Sequence, residues 1–64
     1  MQTRLENFEK MLSDVQTEYA EICEKMDGLR QENRTKTVTY RELLGNKLLH
    51  QNILALYRRY GLIE

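Results

Sequence analysis

The chain has 64 residues, of which 31% are charged, with ten basic and ten acidic side chains and one cysteine, Cys23. A chain of this size makes at most one small domain, and its own core leaves little net stability unless a disulfide, a metal or another chain adds to it. One cysteine forms no internal disulfide, Cys23 with His50 is too small a set for a zinc site, and no apolar run has the length of a membrane span or a leader, so association with a second chain in a reducing, cytoplasmic setting is the expectation that remains.

The first half carries a heptad. Leu5, Phe8, Leu12, Val15, Tyr19, Ile22, Met26 and Leu29 follow one another at alternating steps of three and four, and Met1 extends the register backwards. Positions 5, 12, 19 and 26 are a, and 8, 15, 22 and 29 are d. This repeat lines one stripe of a helix with apolar side chains, as in a coiled-coil seam. Glu6, Lys10, Asp14, Thr17, Glu21 and Glu24 fall on the outer side, as a solvated face requires. Thr3 with Glu6 reads as a capping box, which predicts a helix over residues 4–32. Gly28 lies at an outward c position, where it weakens the last turn by about 1 kcal/mol and leaves the seam intact.

Residues 33–38 are expected to form a loop. The β-branched Thr35, Thr37, Val38 and Thr39 interrupt the helical pattern. Thr39 with Glu42 reads as a second capping box, predicting a second helix over residues 39–60. That helix has no single apolar face. Tyr40, Leu44 and Leu48 point one way, Leu49, Ile53, Leu56 and Tyr60 nearly the other, and Leu43, Leu54 and Tyr57 fill the arc between. A helix apolar over most of its circumference is covered on more than one side. The first helix supplies one cover, and a second copy of the chain is expected to supply the other. Gly45-Asn46 is the point where this helix would kink or let another backbone approach closely, with a break into two helices there as the alternative.

The two predicted helices differ in length, roughly 43 Å against 31 Å at the usual rise per residue. A hairpin would therefore leave Met1, Leu5 and Phe8 exposed at the overhanging end. The closing "YRRYGLI" reads as a helix terminator. Gly61 stands at the left-handed position of a Schellman stop, and Arg58 and Arg59 sit against the negative end of the helix dipole. A winged helix-turn-helix would use the same residues as a recognition helix, but Ile53, Leu54 and Leu56 would then face the groove, and these are not base readers.

Net charge is zero, yet it is unevenly spread. Residues 1–29 hold three basic and seven acidic side chains, and residues 30–64 hold seven basic and three acidic. Opposite halves favour pairing with one another. The alternative is a small nucleic-acid-binding regulator reading through Arg30, Arg34, Lys36, Arg41, Arg58 and Arg59. Catalysis finds no support. There is no phosphate-binding glycine loop and no serine nucleophile motif, and neither cofactor nor metal is expected. His50 is expected on the polar, solvent-facing side of the second helix near Lys47.

The stretches "KTVTYRELLGNKLL" and "ILALYRRYGL" resemble short uncharacterised bacterial proteins carried on mobile genetic elements. The resemblance implies a bacterial accessory protein and assigns no site residues. The sequence therefore predicts an all-α protein: a two-helix antiparallel hairpin with a heptad-patterned first helix, self-associating into a helical bundle. Its role is expected to be protein–protein binding rather than catalysis, with inhibition of a larger enzyme as a further alternative. The expected interface comprises Leu5, Phe8, Leu12, Val15, Tyr19 and Ile22 from the first helix and Leu49, Ile53, Leu56 and Tyr60 from the second.

Overall fold

The backbone signals at the helix ends decide where this chain turns. In the computed structural model, which describes residues 3–63, two helices, α1 (Arg4–Gln31) and α2 (Val38–Arg59), form an antiparallel hairpin. Met1, which would extend the heptad, lies outside the described residues. The Thr3 hydroxyl accepts from the Glu6 N–H at 3.1 Å and starts α1 where the capping pattern predicts.

Both helices end the same way. At the end of α1 the Asn33 N–H donates to the Arg30 carbonyl and the Arg34 N–H to the Leu29 carbonyl, with Asn33 left-handed at φ 58°. At the end of α2 the Gly61 N–H donates to the Arg58 carbonyl and the Leu62 N–H to the Tyr57 carbonyl, with Gly61 at φ 73°. Each pair of bonds is a Schellman stop, which satisfies carbonyls that the helix leaves open. Asparagine is the side-chain-bearing residue that best tolerates this conformation, because its short amide can bond locally.

The cap of α2 differs from the sequence expectation. Thr37, not Thr39, is the N-cap, and the helix begins at Val38. The Thr37 hydroxyl accepts from the Tyr40 N–H at 3.2 Å and donates to the Arg34 carbonyl at 2.9 Å. One side chain thus ties the exit of α1 to the entry of α2. Val38 and Thr39 are tolerated inside the first turn because no preceding turn crowds their branched side chains there. Glu42 consequently has no capping role. The helix is continuous, as the main reading has it: α2 runs unbroken through Gly45 and Asn46, and the alternative of two helices is not taken.

The heptad stripe of α1 packs on α2 of the same chain. Phe8, Leu12, Tyr19, Ile22 and Leu29 are half-buried, and Val15 and Met26 are buried. From α2, Tyr40, Leu43, Lys47, His50, Leu54 and Tyr57 face inward, again at steps of three and four. Tyr57 is the buried anchor of that face, and its ring meets Phe8 edge-on at 5.4 Å and 79°, an arrangement that adds about 1 kcal/mol to the burial of the rings. Phe8 is therefore covered, contrary to the expectation of an overhang reaching that far, because Tyr57 in the last turn of α2 lies level with it. Leu5, one turn earlier, stays 65% exposed.

The hairpin is a single layer, 45 × 26 × 16 Å, with a radius of gyration of 14.3 Å. A compact domain of this length would have a radius near 11 Å. Among the described residues only Val15, Met26 and Tyr57 are buried apolar side chains.

Candidate interaction surface

The inner face of α2 is interrupted by charge at its centre. Lys47 and His50 both lie half-buried between apolar neighbours. His50 was expected to face solvent, but its side chain is only 13% exposed and is held from both sides. Its Nδ1 lies 2.7 Å from the Asn46 carbonyl and its Nε2 lies 3.0 Å from the Glu18 carboxylate on α1. Both partners can only accept, and only the doubly protonated ring has two N–H groups to give. The clasp therefore selects the imidazolium. The Glu18 hydrogen bond, followed by the Asn46 carbonyl, raises the His50 pKa above its ordinary value, while partial burial opposes the rise. Beside this clasp the Gln51 amide donates to the Tyr19 hydroxyl at 3.0 Å. The two side-chain contacts fix the register of α1 on α2.

The Tyr57 hydroxyl is buried without a hydrogen-bond partner. Such a group costs about 1–3 kcal/mol relative to a satisfied one. It sits on the residue that anchors the inner face, so the hairpin retains it for the ring.

The outer face of α2 has the opposite character. Leu49 is 55% exposed, Leu56 51% and Tyr60 72%. Val38 at the start of the helix is exposed as well, and Ile53 at the edge of the face is half-buried. Leu44 and Leu48 are exposed on the flank. Between them Gly45 is open, with nothing within 4 Å of where a Cβ would stand. The leucines outside are thus more exposed than the lysine and histidine inside. Of the interface residues expected from the sequence, those of α1 other than Leu5 meet α2 within the chain. Those of α2 form this outward stripe.

The six basic residues considered for nucleic acid fall at two ends of the molecule. Arg30, Arg34, Lys36 and Arg41 surround the turn, and Arg58 and Arg59 lie in the last turn of α2. Arg41 and Arg58 are separated by about 25 Å along the helix. At the turn, Arg30 is paired with Asp27 and Arg34 with Glu32. Arg58 lines a shallow groove with Tyr19, Gln51 and Leu54. The six do not converge on one patch. Cys23 is half-buried at the edge of the seam, in an open groove with Tyr19, Ala20 and Asp27. Among the described residues no three His, Cys, Asp or Glu side chains come close enough to hold a metal ion, and no helix is long and apolar enough to cross a membrane.

Sequence reasoning missed Lys47 and His50 as inward residues. Their spacing carried the signal, since 40, 43, 47, 50, 54 and 57 repeat at three and four. A search for apolar side chains passes over it because the two central members are polar. No protein-family model, curated protein or solved structure matches this chain.

Proposed function

We propose that the chain is a non-enzymatic protein–protein interaction module that self-associates, as a homodimeric helical bundle serving a small accessory or regulatory role. One observation carries the reading. The face of α2 turned away from α1 is an apolar stripe of Leu49, Ile53, Leu56 and Tyr60, while the face turned towards α1 contains Lys47 and His50. Burial of apolar surface is the main favourable term in folding and association, worth about 25 cal/mol per Å². A helix that turns its leucines outward leaves that term unused until another surface covers them. The scattered basic residues give the nucleic-acid alternative no comparable surface.

Light scattering after size exclusion at micromolar concentration tests the proposal. The expected mass is at least two chains, falling towards one on dilution or on replacing Leu49 and Leu56 by serine. A folded species of 7.7 kDa at all concentrations would overturn it.

A further inference from the structure

The outer stripe of α2 is self-complementary in a way that fixes how a second copy would lie on it. The chain exposes 5359 Å². A folded monomer of 7.7 kDa is expected to expose roughly 4300 Å², so the excess is on the order of 1000 Å². That is close to one side of a standard interface, about 800 Å² per partner.

Positions 42, 45, 49, 52, 56 and 59 follow one another along the stripe at steps of three and four: Glu42, Gly45, Leu49, Asn52, Leu56 and Arg59. The ends carry opposite charge. Glu42 and Arg59 are exposed, and neither has an ion-pair partner among the described residues. They are about 25 Å apart along one helix, so they cannot meet within a chain. Gly45 offers an open notch one step in from one end, and Leu56 an exposed knob one step in from the other.

We infer that two copies pair through α2 in antiparallel fashion about a two-fold axis between residues 50 and 51, each Glu42 meeting Arg59 of the second copy and each Leu56 seating on Gly45 of the second copy. This rests on the self-association proposed above. A two-fold interface uses the same patch twice, so every contact in it is made twice. Reversing one copy exchanges positions equidistant from the axis: 42 with 59, 45 with 56, 49 with 52. Both charge pairs and both knob-and-notch pairs form together, and the apolar sides of Leu49 and Ile53 lie near the axis. Asn52 opposite Leu49 is the polar position of the seam, the kind that weakens a coiled coil while specifying its register. The parallel, in-register alternative places Glu42 beside Glu42 and Arg59 beside Arg59 of the second copy, and faces two glycines across a void. Like charges and an unfilled seam both disfavour it.

Charge reversal and cross-linking test the register. Glu42→Arg and Arg59→Glu should each weaken dimerisation by about tenfold, since each turns two attractive pairs repulsive. The double variant should regain the affinity of the original chain. In a Cys23→Ser background, a chain carrying both Gly45→Cys and Leu56→Cys should form a covalent dimer on mild oxidation. Peptide mapping should find residue 45 joined to 56; within one helix these are about 16 Å apart, too far for a disulfide. A dimer in which the double variant shows no recovery and the 45-to-56 link is absent would overturn the register and leave self-association standing. A chain that stays monomeric, while circular dichroism reports it helical, would overturn both.

Discussion

The two faces of α2 are dressed the wrong way round for a chain that stays alone. The inner face holds Tyr40, Leu43, Leu54 and Tyr57, but Lys47 and His50 occupy its middle. The outer face holds Leu49, Leu56 and Tyr60 in the open. The intramolecular seam is built for register as much as for burial. His50 with Glu18 and Gln51 with Tyr19 set one alignment of the helices. The apolar surface that would otherwise strengthen the hairpin is held on the far side.

Removing the inner anchor has the largest expected effect. Tyr57→Ala deletes the buried ring and its contact with Phe8, and should destabilise the fold by about 3–5 kcal/mol. In a hairpin this small, that loss should abolish cooperative unfolding by circular dichroism. Tyr57→Phe keeps the ring and removes the unpartnered hydroxyl, so its melting temperature should be no lower than that of the parent.

On the outer face, Leu49→Ser with Leu56→Ser removes two exposed side chains. If the hairpin alone determined stability, the pair would cost less than about 1 kcal/mol, since exposed sites contribute within about half a kcal/mol each. With the face covered by a second chain, the expected loss is about 3 kcal/mol or more per chain. The signature is a melting temperature that rises with concentration in the parent and ceases to do so in the variant.

Lys47→Leu sharpens the contrast from inside. Replacing a half-buried charge between apolar neighbours should stabilise the hairpin by about 1 kcal/mol, measured by urea denaturation. The equivalent gain is not expected at Arg41, which is exposed.

The smallest effect is the pH dependence. The folded pKa of His50 lies above its ordinary value near 6.5, so the folded state holds the proton more tightly than the unfolded chain. The clasp's stabilisation is fully present below about pH 6.5 and is lost as the pH rises through the folded value. Denaturation midpoints should therefore fall on passing from mildly acidic to mildly alkaline conditions. His50→Gln should flatten that slope. A slope unchanged in the variant would show that the His50 clasp does not set the pH dependence.

Much of this arrangement was legible in the residues. The Leu5-to-Leu29 heptad named the buried stripe of α1, because spacing alone fixes which side chains share a face. Gly61 named its own stop, since a left-handed position without a side-chain penalty is what glycine supplies. Asn33 did the same for α1 and was passed over, as its role depends on the two bonds that close around it. The cap at Thr37 was misplaced by two residues because Thr35, Thr37 and Thr39 offer the same hydroxyl. Only the Arg34 carbonyl, brought round by the end of α1, chooses among them. The inner face of α2 was hidden for a related reason. The 3-4 spacing put Lys47 and His50 on one stripe with Tyr40 and Tyr57, but the partner that makes a polar inner position acceptable for His50 is Glu18, 32 residues away in sequence. Local pattern does not carry a contact of that separation.

The turn has a consequence for how fast the molecule assembles. Asn33, Arg34 and Thr37 close it with bonds that reach no further than five residues along the chain. Such closures form on roughly the submicrosecond scale, and helices grow within about a microsecond. Once the Thr37 hydroxyl joins the Arg34 carbonyl to the Tyr40 N–H, the two helices are already side by side, and the remaining search is a one-dimensional zippering from the turn outwards. A helical hairpin that zippers from its turn is expected to fold in roughly microseconds to milliseconds. Thr37→Val, which keeps the shape and removes both bonds, should slow folding more than it speeds unfolding. If two copies associate as proposed, their encounter, which depends on concentration, would be slower than the folding of each chain.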